Sequence, residues 1–184
     1  SCRHTHHAMD LVSDLAKQQG INADEVKKIE VGTYDVAINI TDNDNPQTVY
    51  QCKFSLQYCT ALALVKKNGN LDTFTEENLW DDEVRSMMDK VNIFTDDEAN
   101  QAYPEKWGAN VKVHLKNGEI IELITEYPKG DPENNVTKED LYDKFMVLSK
   151  DIDKGQAEEI ADNILSLEDI DDLGTLFPYN VTVK

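Results

Sequence analysis

The chain has 184 residues, 40% hydrophobic and 29% charged, which suits a globular domain with its own core, and its 36 acidic and 18 basic side chains give a net charge of −18. This acidity argues against a nucleic-acid partner, because phosphate binding needs clustered Lys and Arg, and no apolar run is long enough to span a membrane. The three cysteines lack CxxC spacing and the N-terminus lacks a signal-peptide pattern, so we expect a cytoplasmic protein.

The first third of the chain predicts a helix followed by a strand. Apolar residues recur at helical spacing over positions 8–16, and Gly20 supplies a stop signal, so a helix capped by Thr5 or a neighbour is expected. The segment "IEVGTYDVAINI" (29–40) alternates apolar and polar residues in each half. It predicts a strand with a bend or bulge between its two halves.

The middle of the chain predicts a buried helix. The segment "KFSLQYCTALALVKKNG" (53–69) is almost wholly apolar between residues 58 and 65, which is typical of a helix covered on most sides. A shorter helix is expected at 81–91. Acidic and aromatic residues without a clear period follow as far as Trp107, and they predict an irregular stretch.

The remaining segments predict a hairpin and then helices. Asn117-Gly118 lies between two apolar runs in 109–125 and is a strong hairpin turn signal. The other expected elements are a loop at 127–135, a helix at 138–149 capped by Thr137, a helix at 154–166 and a short one before Pro178. This order favours an α+β fold, a small antiparallel or mixed sheet with a β-hairpin packed against several helices, and we treat 1–184 as a single domain.

The opening "SCRHTHHAMD" concentrates groups that carry chemistry. A zinc site built from Cys2, His4 and His6 lacks a second pair of ligands, since only His114 remains elsewhere apart from His7, so no metal is expected. A helix N-terminus favours an anion and lowers the pKa of a nearby imidazole, so a neutral histidine there suits either a general base or a hydrogen-bond donor. Arg3 suits recognition of a carboxylate.

A second polar group stands where the buried helix is expected to begin. Lys53, Ser55 and Tyr58 cluster at that end of the segment. Tyr58 is either a core aromatic or a general acid or orienting donor. Cys52 and Cys59 are expected to be unreactive buried thiols.

Five stretches resemble, in order, the MmgE/PrpD family, which includes 2-methylcitrate dehydratase, cis-aconitate decarboxylase and iminodisuccinate epimerase: "SCRHTHHAMD", "IEVGTYDVA", "KFSLQYCTALALV", "VKVHLKNG" and "YPKGDPENN". The resemblance covers roughly residues 1 to 150. It implies a cofactor-independent enzyme without a metal, in which a helical domain and a smaller α+β lid enclose the site. Such enzymes move a proton next to a carboxylate of a small di- or tricarboxylate, with dehydration, decarboxylation or epimerisation as the outcome.

The resemblance implies that this chain is the C-terminal lid of a longer protein, cut upstream of Ser1. Without its N-terminal helical domain the lid is expected to be inactive, and the full-length protein is expected to form a homodimer. The resemblance places Cys2, His4, His6 and Tyr58 among the catalytic residues, and Lys53 and Lys129 among those that bind substrate. The polar groups at the two helix N-termini add Arg3 and Ser55 as expected substrate contacts. Cys2 stands where relatives carry His or Glu, which leaves the outcome of the reaction open. Lys129 lies in a Pro-basic-Gly loop for which a structural turn is the other interpretation. A 2-methylcitrate dehydratase-like lyase is the leading expectation, and the alternatives are an epimerase, a decarboxylase, a non-catalytic carboxylate-binding module or a structural domain.

Overall fold

A computed structural model describes residues 1–175 and divides into two compact units, the first covering Ser1–Asn134 and the second beginning at Asn135. The first unit contains, in chain order, α1 (His6–Gln18), β1 (Val26–Thr33), α2 (Asp35–Thr41), α3 (Val49–Cys52), α4 (Leu56–Val65), α5 (Glu76–Leu79), α6 (Asp82–Met88), β2 (Val91–Thr95), α7 (Asp97–Ala102), β3 (Ala109–Leu115) and β4 (Ile120–Thr125). Short 3-10 turns at Arg3–Thr5, Ala23–Glu25 and Leu71–Thr73 join them. The second unit contains α8 (Lys138–Leu148), α9 (Lys154–Leu165) and 3-10 turns at Leu167–Asp169 and Leu173–Thr175.

The four strands form one mixed sheet in the order β2-β1-β3-β4. β1 pairs in parallel with β2 and antiparallel with β3, and β3 pairs antiparallel with β4. Val31 lies opposite Val111 and Val113 lies opposite Ile121, so these apolar side chains share one face of the sheet. The α+β prediction with a mixed sheet is confirmed.

The core of the first unit lies between this sheet face and α4. All nine residues from Leu56 to Leu64 are buried, which confirms the predicted buried helix, although it begins at Leu56 and not at Lys53. α4 packs against α1 on one side and α6 on the other. Burial of a continuous apolar helix is the main source of stability available to a domain of this size.

The second half of the predicted bent strand is wrong. Residues Asp35–Thr41 form α2, while β1 ends at Thr33 and Tyr34 keeps an extended backbone between them. Asp35 in the first turn favours a helix N-terminus, and the buried side chains Ala37 and Thr41 are four residues apart, one helical turn. Ile40, which fitted the strand alternation, is 46% exposed. The apolar and polar alternation in the second half of 29–40 therefore does not correspond to alternating buried and exposed side chains.

The predicted irregular stretch before Trp107 contains two regular elements. β2 is a parallel edge strand of five residues, and α7 follows with Asp96 as its N-cap, accepting from the amides of Glu98 and Ala99. Such a short strand carries too few alternating positions for the sequence to reveal it. The prediction of irregular structure is wrong here.

The other predicted elements are confirmed. Gly20 and Gly118 have positive φ of 70° and 94° where the helix stop and the hairpin turn were expected. α8 begins at the predicted capping box of Thr137 and Asp140, and α9 follows where expected. The element expected before Pro178 extends beyond the described residues, which reach Thr175. None of the helices in residues 1–175 combines the length and the apolar content needed to cross a bilayer.

Gly108 is predicted to resist substitution because its backbone approaches β4. A Cβ on Gly108 would lie 2.5 Å from the carbonyl oxygen of Thr125, and backbone cannot rotate out of the way. Gly108→Ala is expected to lower the free energy of unfolding by about 1–3 kcal/mol, measured by urea denaturation.

Gly32→Ala is the matched control in the same sheet. Its Cβ would meet the ring of Phe94 at 2.9 Å, but that side chain is 46% exposed and free to swing outward. A smaller loss than for Gly108→Ala is expected. Equal losses for the two variants would contradict the close backbone approach.

Candidate active site

The opening segment begins with a 3-10 turn that leads directly into α1. Thr5 does not cap the helix as predicted: its buried hydroxyl donates to the Cys2 carbonyl at 2.8 Å and accepts no helix amide. Cys2, in extended conformation, is the residue that precedes the turn. Cys2, Arg3, His4 and His6 are all partly exposed, whereas Thr5 and His7 are buried. The turn thus sends one set of side chains outward and fixes the other in the core.

The two predicted polar groups meet through a backbone hydrogen bond. The amide of Cys2 donates to the carbonyl of Lys53 at 2.8 Å, so the opening turn and the turn before α4 are neighbours. The Lys53 side chain is half-buried, and within residues 1–175 its ammonium forms no ion pair or hydrogen bond. The backbone of Lys53 therefore lies beside the opening turn, and its ammonium has no protein partner in the described residues.

Ser55 and Tyr58 belong to the architecture of α4 in this structure. Ser55 is the N-cap of α4: its hydroxyl accepts from the amide of Tyr58 at 3.0 Å and donates to the carbonyl of Asn43 at 2.6 Å. The buried hydroxyl has used its donor, so Ser55 has a capping role in this structure, and its predicted substrate contact stays a prediction.

Tyr58 is a fully buried core residue, with its ring centroid 6.4 Å from that of Phe74. Its hydroxyl has no partner with normal hydrogen-bond geometry among the described residues. The Cys52 thiol is close enough to affect its ionisation. Burial, and then that thiol, raise the pKa of Tyr58 above its ordinary value. A buried neutral phenol of this kind corresponds to the core alternative. The catalytic role expected of Tyr58 stays a prediction.

Both neighbouring cysteines behave as predicted. Burial raises the pKa of Cys52 to about 11 and that of Cys59 to about 12, so neither forms a thiolate at neutral pH. Cys2 is the partly exposed thiol of the three. It directly precedes the opening turn, as the N-cap residue of Arg3–Thr5.

Arg3 holds the loop that follows β4. Its guanidinium forms an ion pair with Asp131 and donates to the carbonyl oxygens of Lys129 at 3.0 Å and Pro128 at 3.4 Å. A further donor lies 3.0 Å from Nδ1 of His6. A guanidinium can only donate, so this ring nitrogen accepts and carries no proton. Arg3 thus has a protein carboxylate as its partner in this structure, and its predicted contact with a substrate carboxylate stays a prediction.

The same loop is held from the other side by α1. The backbone amide of Lys129 donates to Oδ2 of Asp10 at 3.0 Å, while the Lys129 side chain is exposed. Burial raises the pKa of Asp10 to about 6, against the opposing effect of that hydrogen bond. The backbone of Lys129 therefore has the structural role in the turn that the second interpretation expects. Gly130 supplies the positive φ of 96° that the turn needs.

His4 is mounted on an aromatic platform that sequence reasoning missed. Its ring stacks on Trp107 with centroids 4.6 Å apart and planes inclined by 7°, and its Nδ1 lies 2.8 Å from the hydroxyl of Tyr34. Tyr34 stacks in turn on Tyr103 at 4.4 Å, and the indole of Trp107 donates to the carbonyl of Pro104 at 3.1 Å. Burial lowers the pKa of His4, which favours the neutral imidazole.

His7 is the buried connection between this platform and the sheet. Its Nδ1 accepts from the amide of Ala8 at 2.8 Å, so its single proton lies on Nε2, which is 3.3 Å from the hydroxyl of Thr33. The Thr33 hydroxyl donates in turn to the carbonyl of Gly108 at 2.9 Å. Burial, and then the charges of His4, His6 and Arg3, lower the pKa of His7 to about 3. His7 is therefore a neutral packing residue.

Four of the predicted residues, Cys2, His4, His6 and Lys53, are partly exposed, and we call them the wall. Two clefts, of about 110 and 270 Å³, lie elsewhere, at the ends of β3 and β4 and beside the turn at Asp24 and Glu25. Within residues 1–175, no three His, Cys, Asp or Glu side chains converge in a way that would hold a metal ion. The wall offers neutral imidazoles, one partly exposed thiol and the ammonium of Lys53.

Comparison with known sequences decides the family. Residues 1–169 match the family model described as the MmgE/PrpD C-terminal domain. The chain belongs to the MmgE/PrpD family. The match extends beyond residue 150, where the predicted resemblance ended, and includes both α8 and α9.

Three curated relatives carry enzyme names. A mitochondrial 2-methylcitrate dehydratase of Yarrowia lipolytica is 25% identical over 126 residues, 65% of this chain and 24% of that protein. A cis-aconitate decarboxylase-like protein of Aspergillus oryzae is 29% identical over 135 residues, 72% of this chain and 27% of that protein. A probable 2-methylcitrate dehydratase of Saccharomyces cerevisiae is 28% identical over 122 residues, 63% of this chain and 23% of that protein. The matched region thus spans about a quarter of each MmgE/PrpD relative.

The buried His7 and the partly buried Asp10 are predicted to give opposite pH dependences of stability. His7 has a folded pKa of about 3 against an ordinary value of 6.5, so the unfolded chain binds the proton first and stability falls as the pH drops below 6.5. Asp10 has a folded pKa of about 6 against 3.8, so the folded chain binds the proton first and this group's contribution is lost as the pH rises from about 4 to 6.

Asp10→Asn is therefore expected to stabilise the protein at pH 7 by roughly 1–3 kcal/mol, because an amide still accepts from Lys129 without a buried charge. It should also steepen the loss of stability below pH 6, where His7 then acts unopposed. Urea denaturation at pH 7, 6, 5 and 4 measures both effects, with Asp24→Asn as the exposed control. If Asp10→Asn kept the wild-type pH profile of stability, the raised pKa of Asp10 would be contradicted.

Ser55→Ala is predicted to affect stability and not ligand binding. Loss of the α4 N-cap should cost about 1–2 kcal/mol in a urea titration. Thr75→Ala removes the N-cap of the four-residue surface helix α5 and should cost less. If Ser55→Ala changed the affinity for a carboxylate at unchanged stability, the capping assignment would be wrong.

Proposed function

We propose that this chain forms the lid side of the active site in a cofactor-independent MmgE/PrpD lyase that dehydrates a small tricarboxylate of the 2-methylcitrate type. The observation that carries the proposal is the mounting of His4, a partly exposed neutral imidazole held by Trp107 and Tyr34. The names of two relatives, both 2-methylcitrate dehydratases, support the choice of substrate.

The chemistry of the wall supports a carboxylate substrate. Removal of a proton from the carbon next to a carboxylate moves negative charge onto the carboxylate oxygens, where hydrogen-bond donors and cations stabilise it. Lys53 supplies a cation without a partner in the described residues, and His4 supplies a donor. Cys2 and His6 flank them on the same turn. These four residues are the lid-side contacts that we propose.

An open wall needs a second surface before it can exclude water from a reaction. We propose that an N-terminal helical domain of a longer protein supplies this surface, together with the acid and base of the reaction, and that the assembled protein forms a homodimer. On this view residues 1–184 act as a single lid domain in the cytoplasm and are inactive alone.

A decarboxylase is the second candidate within the family. The cis-aconitate decarboxylase-like relative matches a larger share of this chain, 72%, than either dehydratase. Decarboxylation also develops charge next to a carboxylate, so the same lid contacts would serve it. An epimerase and a non-catalytic carboxylate-binding module remain further alternatives, and assay of the complete gene product on 2-methylcitrate, cis-aconitate and iminodisuccinate separates them.

Carboxylate binding by the chain itself is predicted and can be measured by calorimetry and thermal shift. Citrate, 2-methylcitrate and cis-aconitate should raise the melting temperature, and acetate at equal ionic strength should not. Lys53→Gln should weaken tricarboxylate binding about tenfold, since it removes a charge-assisted contact. Lys27→Gln is the control, because Lys27 is exposed and lies on β1.

Loss of affinity in both lysine variants would indicate a general charge effect and would contradict a site at Lys53. Absence of any tricarboxylate binding, together with no turnover of the complete gene product, would overturn the proposed function and favour a structural domain.

A further inference from the structure

The hydrogen bond between His4 and Tyr34 could run in either direction, and burial of the Tyr34 hydroxyl favours one of them. Nδ1 of His4 and the Tyr34 hydroxyl are 2.8 Å apart, and Tyr34 is fully buried. Within residues 1–175 the hydroxyl has no other hydrogen-bond partner. A buried O–H without an acceptor is costly, so the phenolic proton points at Nδ1, which accepts it.

We infer that Tyr34 is a positioning residue that fixes His4 in the neutral tautomer protonated at Nε2, so that His4 meets the substrate as a hydrogen-bond donor and not as the base. The contact with substrate rests on the proposed function, whereas the tautomer does not.

The geometry leaves Nε2 as the outward atom of the ring. Trp107 covers one face of the imidazole and Tyr34 occupies the Nδ1 edge. Nε2 lies on the other side of the five-membered ring and makes no hydrogen bond to any described residue. Because the side chain is only partly buried, this N–H is left for solvent or a ligand.

Tyr34 is held rigidly enough to set the tautomer. Its backbone joins the end of β1 to the start of α2, where its carbonyl accepts from the amides of Ala37 and Ile38 at 3.0 and 3.3 Å. Its ring stacks on Tyr103 and meets His7 edge-on at 5.9 Å. A side chain fixed by a strand, a helix and two rings presents its hydroxyl in one direction.

The ionisation of both partners favours this arrangement. Burial raises the pKa of Tyr34 and lowers that of His4, so the proton stays on the phenol and the imidazole stays neutral. The Nδ1 lone pair is occupied by Tyr34, and Nε2 already carries the proton. Neither nitrogen is then free to remove a proton from carbon.

A neutral donor suits the expected chemistry. An N–H placed at a carboxylate oxygen stabilises the charge that develops when a neighbouring C–H proton leaves, without itself transferring a proton. The base that takes this proton must then come from a residue other than His4.

Nitrogen NMR of the intact chain with ¹⁵N-labelled histidine tests the inference, with signals of His4 assigned by His4→Gln. In the wild type, Nε2 of His4 should resonate as a protonated nitrogen and Nδ1 as an unprotonated, hydrogen-bonded one. Tyr34→Phe should lower the ratio of the two tautomers about fivefold, the factor that corresponds to one hydrogen bond of about 1 kcal/mol, and both signals should move toward averaged positions. Tyr103→Phe removes a hydroxyl from the adjacent ring and should leave the signals of His4 unchanged.

Each result decides one point. Protonation of His4 at Nδ1 in the wild type overturns the inference, and this result does not depend on whether Tyr34→Phe folds. A folded Tyr34→Phe protein whose His4 signals match those of the wild type also overturns it. Titration with citrate separates the proposed function: a shift of the Nε2–H signal supports substrate contact. Unmoved histidine signals, with the Nε2–H tautomer still observed, contradict the proposed lid site and leave the positioning role of Tyr34 in place.

Discussion

The position of the candidate site depends on one buried neutral imidazole. His7 accepts from the amide of Ala8 in α1 and donates through Nε2–H to the Thr33 hydroxyl, which donates to the carbonyl of Gly108 beside β3. This chain of hydrogen bonds joins the first helix to two strands at the point where Thr33 pairs with Ala109. It works only while the ring is neutral, because a charged imidazole would lose the bond from Ala8 and pay the full cost of burial.

The outward-facing groups take their geometry from this inner connection. His7 fixes the first turn of α1, so His4, three residues earlier, reaches the platform made by Tyr34 and Trp107. Tyr34 lies between the two imidazoles and contacts both. The inner ring therefore determines where the outer ring lies, and the outer ring carries the chemistry that we propose.

Sequence reasoning recovered most of the fold and about half of this site. Long periodic segments such as α4 and strong turn signals such as Gly118 were predicted, since their information is local. β2 and α2 were not, because five to seven residues carry too weak a period. Tyr34 and Trp107 were missed for another reason: they lie 30 and 103 positions from His4, and only the pairing of β1 with β3 brings them together. The signal that was present, a tyrosine at the end of a strand, is common in cores.

Charge explains why neutral groups matter in this wall. In a chain of net charge −18, a tricarboxylate meets repulsion unless local groups offset it. Arg3, the obvious cation, is already balanced by Asp131 and serves to hold the loop after β4. Lys53 and the oriented N–H of His4 then remain as the attractive groups of the opening turn. Two such contacts are too few to neutralise three carboxylates, so under the proposed function this wall binds one end of the substrate, and the rest of the binding energy comes from the surface proposed to face it.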